Sequence, residues 1–263
     1  MARPFWNGAI SFGLVSIPVK MYVATESKSP GFHYLHKMCL TRPKQVLYCE
    51  KDKEYLTVRD MALGYEYAKG QYVIFKEEEF KKVPVKTTHT IDILGFTKSQ
   101  EIDPIYYYAS HYLEPEKLGA KPYSLLREAL FKTGRVGIAK VSFQRREHLC
   151  CLQPIDDILL LHSLHYSNEI RPRGEIAGLK SEFTKAEIDM AISLIASMEK
   201  PFKPADYRDE YREALESMIE AKINGKEISV PEVPTVVMPD LMSALKASVE
   251  AVKKGKDKVP VKK

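Results

Sequence analysis

Two periodicities divide the chain. In the N-terminal two thirds, apolar residues recur at every second position in short runs; in the C-terminal third they recur at spacings of three and four. Near the start Ile10, Phe12 and Leu14 alternate, and Ile17, Val19, Met21 and Val23 then alternate in the opposite phase. Alternation of period two marks a half-buried strand, and a phase flip inside one apolar stretch implies a bend or bulge. Gly13 and Ser16 stand where that break is needed. The same patterning predicts strands at 71–75, 89–96, 104–108, 136–143, 148–153 and 157–166. Short strands punctuated by Gly and Pro suggest an antiparallel barrel or sandwich. One helix interrupts them, over about 122–133, with Pro122 in its first turn and Gly134 as its stop.

Helices take over beyond residue 183. Thr184-Lys-Ala-Glu187 has the form of a capping box. Behind it Ile188, Ala191, Ile192 and Ile195 form an i, i+3, i+4, i+7 stripe. A second helix is predicted over about 205–223, with Tyr207, Tyr211, Leu215, Met218 and Ile219 on one face and Asn224-Gly225 ending it. Pro231, Pro234 and Pro239 make 230–239 an extended linker. A third helix follows, with Leu241, Leu245, Ser248, Val249 and Val252 on one side. No internal repeat is visible, and the class expected is α+β.

Composition changes the picture in one respect, the placement of charge. The 263 residues are 44% hydrophobic, enough for a real core in one or two domains. No apolar run is long enough to span a bilayer and no leader pattern opens the chain, so a cytosolic, nucleoid-associated protein is expected. Cys39, Cys49, Cys150 and Cys151 are then expected as thiols. The net charge is +5, and the tail 251–263, with six lysines against Asp257, carries all of it. A neutral body binds a polyanion only by gathering its cations on one surface. The tail itself reads either as a solvated terminus or as a polyanion contact.

The sequence carries no GxGxxG, HExxH, GxSxG or KxDG motif. Gly174-Glu-Ile-Ala-Gly178-Leu-Lys180 has one residue too few between its glycines, and Leu179 intervenes before the lysine, so its amides are not set to cradle a phosphate. His33, His36, Cys39 and Cys49 are zinc-ligand types, but paired CxxC knuckles are missing; a metal site and ordinary side chains in a β-arm both remain open. His162 and His165 fall on opposite faces of their strand and read as structural, and Cys150 and Cys151 as small buried hydrophobes. Basic residues cluster at Lys37, Arg42 and Lys44, at Lys51, Lys53 and Arg59, at Arg135 and Lys140, at Arg145 and Arg146, and at Arg171 and Arg173. Tyr34, Tyr48, Tyr55, Tyr65, Tyr67 and Tyr72 flank several of them. The region 33–70 is long, polar and weakly periodic, as expected of an arm built onto the β-structure.

Four segments in register resemble one family. Arg3 to Tyr22 (Arg-Pro-Phe-Trp-Asn-Gly-Ala-Ile-Ser-Phe-Gly-Leu-Val-Ser-Ile-Pro-Val-Lys-Met-Tyr) is similar to the opening of bacterial Ku proteins. Gly64-Tyr-Glu-Tyr-Ala-Lys-Gly-Gln-Tyr-Val73 resembles the second signature of that family, and Glu101-Ile-Asp-Pro-Ile-Tyr106 and Lys140 to Leu152 extend the match. The resemblance, over about residues 1–250, implies an antiparallel β-barrel core with an arch-forming arm and a helical C-terminal region. Two subunits would close into a ring-shaped homodimer threaded by duplex DNA. It implies sequence-independent binding of double-strand ends in non-homologous end joining, with no catalysis and no cofactor. The partner implied is the bacterial multifunctional ATP-dependent end-joining DNA ligase. The organisation expected is 1–183 for the barrel core with its arm at about 33–70, 184–250 for the helical region and 251–263 for the lysine-rich tail. The residues expected at DNA are Lys20, Lys37, Arg42, Lys44, Lys69, Arg135, Lys140, Arg145 and Arg146, with tail contacts from Lys253, Lys254, Lys256 and Lys258; Leu241, Leu245 and Val249 are expected at the ligase. Relatives with a CxxC pair in the arch contrast with Cys49-Glu-Lys-Asp here. Two readings compete: a metalloenzyme with zinc-bound water on His33, His36 and Cys39, and a scaffold touching nucleic acid only through its tail.

Overall fold

A computed structural model of the chain describes residues 3–80, 82, 89–143, 146–175, 182–225 and 241–253. The chain divides into two compact units, Met1–Lys28 with His33–Glu175, and Ser29–Phe32 with Ile176–Lys263.

The first unit is built on a closed barrel. Its strands, in order around the wall, are β1 (Trp6–Phe12), β2 (Val15–Val23), β8 (Tyr107–Pro115), β11 (Ile158–Leu164), β10 (Arg146–Ile155), β9 (Arg135–Phe143) and β7 (Thr90–Lys98). Neighbours are antiparallel except β1 and β7, which close the wall in parallel through Ala9↔Thr90, Ile10↔Ile91 and Ser11↔Asp92. Closure leaves no unpaired edge for another chain to extend.

The phase flip near the start is a chain reversal and not a bulge. Phe12 pairs with Val15, and Gly13 sits between them at φ 60°. A glycine with positive φ at the first central position is what a two-residue hairpin turn of this kind takes. The phase reverses because Ile10 and Ile17 then point into the same interior, both at most 1% exposed. Val19, Met21, Ile91, Leu113, Val141, Cys150, Leu152, Leu159 and Leu161 complete that core.

Helix α2 (Ala120–Thr133) packs on the barrel through Tyr123, Leu126 and Leu130. The Tyr123 hydroxyl donates to the Leu113 carbonyl at 2.5 Å and accepts from the Leu159 amide at 2.7 Å, tying the helix to two strands. Gly134 ends α2 at φ 62°, and its amide donates to the Leu130 and Phe131 carbonyls. Residues 104–106 form a 3₁₀ turn and not the start of the predicted strand. Pro104 has no amide to give a ladder, and the Asp103 carboxylate accepts from the Ile105 amide at 3.1 Å. A second apolar cluster lies on the outer side of the wall, where Val136, Cys151 and Leu164 are covered by Ile102, Tyr106, Tyr107, Ile138 and Leu149. Adjacent Cys150 and Cys151 therefore face different cores, and both are fully buried.

Between β2 and β7 the chain forms two small hairpins outside the barrel: β3 (Leu47–Cys49) with β4 (Glu54–Leu56), and β5 (Leu63–Ala68) with β6 (Gln71–Phe75). A one-turn helix, α1 (Glu77–Phe80), follows them. The Gly64–Val73 signature is the second hairpin, whose turn holds Gly70 at φ 76° and its amide on the Glu66 carboxylate at 2.8 Å. Almost every side chain from 33 to 80 is exposed.

The second unit contains α3 (Lys185–Met198), α4 (Glu210–Ile223) and α5 (Leu241–Lys253). The Thr184 hydroxyl accepts from the Glu187 amide while the Glu187 carboxylate accepts from the Thr184 amide, forming the capping box. Helix α4 starts at 210, later than its apolar pattern predicts, because Pro204–Asp206 makes a separate 3₁₀ turn and Asp209 caps the helix proper. Helix α3 packs against α5, yet Ile188, Ile192 and Ile195 of its predicted apolar stripe remain 40, 57 and 70% exposed. The 230–239 linker lies outside the described residues.

Candidate nucleic-acid interface

The candidate cations fall into two groups, one on the exposed segment and one on the barrel wall. Lys37, Arg42, Lys44 and Lys69 belong to the exposed segment between β2 and β7. Lys37 opens the tight turn that Leu40 completes at φ 54°, and Lys69 stands at the tip of the second hairpin. Among the described residues none of the four makes an ion pair. Tyr34, Tyr55 and Tyr65 of the same segment are 90, 74 and 66% exposed, so cationic and aromatic surface alternate along it.

Of the barrel-wall cations, Lys140 and Arg146 are tethered by carboxylates, while Lys20 and Arg135 make no ion pair among the described residues. Period two along β2 puts Ile17, Val19 and Met21 inside and Lys20 outside, in register with Asn7 and Glu114. On β9, Lys140 faces outward and its Nζ reaches Glu147 Oε1 at 2.7 Å, under the Tyr166 ring at 6.0 Å from its centroid. That bond, with the attraction of the same carboxylate, raises the Lys140 pKa above its ordinary value. At the head of β10, Arg146 pairs with Glu169, whose other oxygen accepts from the Tyr166 amide at 2.8 Å. The Tyr166 amide first and Arg146 second hold the Glu169 carboxyl below the usual range. Arg135 stands exposed at the head of β9, opposite Lys98. The partners Glu147, Tyr166 and Glu169 are missed by sequence reasoning; the signal was the β9–β10 hairpin register, which sets Glu147 beside Ser142 two places along from Lys140.

Not every predicted residue joins these groups. Arg145, Lys254, Lys256 and Lys258 lie outside the described residues, and Lys253 is the last residue of α5. Leu245 and Val249 are half-buried on α5, and Leu241 begins that helix. His36 Nδ1 lies 3.0 Å from Cys39 Sγ, which lies 2.8 Å from Thr41 Oγ1. Hydrogen bonds from Thr41 and then His36 bring the Cys39 thiol down to about 7. Cys49 donates separately to Asp52 at 3.2 Å. His33 joins neither pair, and among the described residues no group of three or more His, Cys, Asp or Glu side chains comes together as a metal site. His162 is bonded to the Ser110 hydroxyl at 2.9 Å, and burial lowers its pKa. No described helix is long and apolar enough to cross a membrane.

A cation held by a carboxylate meets a phosphate only by sharing or releasing its partner. An unpaired one meets it at no such cost, and Lys and Arg contacts of this kind position a protein on nucleic acid without reading bases. A protein of Solibacter usitatus named non-homologous end joining protein Ku is 40% identical over 259 residues, covering 98% of this chain and 97% of that one. One of the same name from Archaeoglobus fulgidus is 43% identical over 253 residues, covering 95% of this chain and all of that one. A third, from Symbiobacterium thermophilum, is 41% identical and covers 95% of this chain, which spans 63% of that protein. Residues 11–190, which take in the last two residues of β1 and every other barrel strand through β11, match the Ku70/Ku80 beta-barrel domain. The closed barrel, the match to that domain and the near full-length likeness to these relatives agree: this chain belongs to the Ku family.

Proposed function

We propose that the protein binds ends of double-stranded DNA, without reading their sequence, as a ring-shaped homodimer acting in double-strand break repair by non-homologous end joining. The observation that carries this is the near full-length identity to proteins named for that process. Within this reading the segment at about 33–70 is the arch, and its unpaired Lys37, Arg42, Lys44 and Lys69 meet phosphates. The barrel wall adds Lys20, Arg135, Lys140 and Arg146, with Arg145 between the last two in sequence.

Dimerisation has its own physical support. A two-stranded hairpin is marginal alone in water. The segment between β2 and β7 exposes Met38 at 88%, Val58 at 82%, Leu40 at 70% and Ile74 at 65%, apolar side chains that a partner surface would cover. Covering it with the same segment of a second copy gives an isologous twofold contact. The protein performs no catalysis in this proposal; it holds ends and recruits the ATP-dependent end-joining ligase through the α5 region around Leu241, Leu245 and Val249. The lysine tail adds non-specific attraction.

The test is binding to linear duplex and to covalently closed circular duplex of the same sequence, at about 150 mM salt, where charge alone holds weakly. Binding confined to the linear form supports an end-loading ring. Equal binding to both overturns it.

A further inference from the structure

The barrel's two ends differ. Helix α2 packs near the end where β1 and β7 finish. At the other end β2, β9 and β11 finish, β8 and β10 begin, and a cavity of about 290 Å³ opens. One inward step past the aliphatic core, each strand switches residue type. Leu113 gives way to His111, Leu161 to Ser163, Val141 to Phe143 and Cys150 to His148. Phe5 comes against this mouth, its ring 5.2 Å from His111 and 5.7 Å from Phe143.

The polar atoms here are in two conditions. His148 is spoken for: Nε2 faces the Phe143 carbonyl at 3.3 Å, Nδ1 faces the Tyr108 hydroxyl at 2.7 Å, and the ring stacks on Phe143 at 4.0 Å and 10°. His111 Nδ1 and Ser163 Oγ have no hydrogen-bond partner among the described residues, although the two side chains are only 8% and 0% exposed. Buried polar atoms are ordinarily satisfied, and leaving one unsatisfied is costly. His111 Nδ1 and Ser163 Oγ are thus both left to meet hydrogen-bonding groups of a ligand. Burial first, and neighbouring charge after it, lowers the pKa of both His111 and His148. Both imidazoles are thereby held toward their neutral form.

An unpartnered imidazole nitrogen and a hydroxyl between aromatic walls suit a flat, uncharged ring that carries hydrogen-bonding groups on its edge. The volume is at the low end for small-molecule sites, enough for one ring system. A lone water takes two to four polar partners and leaves the aromatic faces unused. We propose that this mouth holds a planar nitrogen heterocycle, specifically the unpaired base at a DNA end. This rests on the end-binding function proposed above. Flipped bases are read by stacking and by their hydrogen-bonding edge, and a base already unpaired is the easiest to take. Each of the four bases presents an N–H on that edge, so capture would be indifferent to sequence. Arg146, a candidate phosphate contact, lies close enough to His148 to lower its proton affinity.

The test compares full-length protein binding to duplexes that end in one overhanging nucleotide, either base-bearing or abasic. The base-bearing end is expected to bind at least about fivefold tighter, the lower bound for one stacked base, and equally for A, C, G and T. Ala109→Phe, which fills the mouth, is expected to collapse that ratio to unity; Ser163→Ala, a smaller change, is expected to reduce it. Tight end binding by the wild type with no difference between base and abasic ends overturns the inference and leaves the proposed function standing. If no end binding is seen, that function fails. Free 2-aminopurine riboside then decides the site: saturable quenching that disappears in Ala109→Phe supports it, and no quenching overturns it.

Discussion

Replacing Lys37, Arg42, Lys44 and Lys69 together by glutamine removes four cations of the segment between β2 and β7 that make no ion pair among the described residues. Each phosphate no longer neutralised takes about 0.9 from the slope of log affinity against log salt, so four phosphates take about 3.6 per protomer. Across a fourfold rise in salt, a slope difference of 3.6 is a factor of roughly 150 in how steeply affinity falls. Lys140→Gln is expected to change the slope by less than one phosphate's worth, because Glu147 already neutralises that ammonium at 2.7 Å. Glu147→Gln should steepen the slope by freeing it. The assay is fluorescence anisotropy with one blunt duplex, titrated from about 50 to 200 mM salt and repeated on a duplex of unrelated sequence. The reasoning fails if the fourfold variant keeps the wild-type slope, or if its loss of affinity depends strongly on sequence.

Other consequences follow from packing and titration. Tyr123→Phe removes one hydroxyl from two buried backbone groups of β8 and β11 and should cost about 1–3 kcal/mol in urea denaturation. Gly8→Ala places a Cβ 2.3 Å from the His89 carbonyl and the Trp6 ring, and overpacking of this kind should cost about 1–3 kcal/mol, read as a lower urea midpoint at unchanged m-value. Thr184→Ala breaks the α3 capping box and should cost about 1 kcal/mol, seen as earlier hydrogen exchange in the first turn of α3. His111, His148 and His162 have pKa values depressed by burial, so the unfolded chain binds more protons below its own histidine pKa of about 6.5. The stability they contribute is complete above that pH and declines as pH falls toward their folded values. A urea midpoint that stays constant from about pH 7.5 to 5.5 contradicts this.

Local sequence signals find elements whose ends and faces are marked within their own residues. The strand at 15–23, α2 with its Gly134 stop and the Thr184 box all follow from local signals that tertiary packing does not override. The turn at Gly13 was visible as a phase change, but a bulge and a reversal give the same alternation. Residues 104–108 read as a strand because Ile105 and the tyrosines are apolar; Asp103 and Pro104 impose the turn. Strands β10 and β11 are apolar on both sides because the outer cluster around Cys151 covers them, so inner and outer faces could not be told apart from pattern. Strands β3, β4 and β5 escape detection for the opposite reason. Their side chains are exposed in the single chain, so no burial imposes a period.

The candidate interface divides along the same line. Lys37, Arg42, Lys44 and Lys69 stand out as clustered charge among tyrosines, which composition reveals. That Lys140 and Arg146 are held by Glu147 and Glu169 depends on strand register and on the turn after β11, neither of which a charge count contains. His111 and Ser163 were invisible as a pair, because only the pairing of β8 with β11 brings them to one end of the barrel. The resemblance across four segments supplied what composition could not.

The central claim is that the protein encircles its DNA, and the direct measurement is retention after the ends are sealed. Protein is loaded on linear duplex, both ends are then blocked by bulky adducts, and the complex is challenged at a salt concentration that prevents fresh binding. The account predicts that the protein stays bound until the duplex is cut, and then leaves. Release before cutting, at the rate seen with open ends, contradicts encirclement and reduces the cations to an open patch.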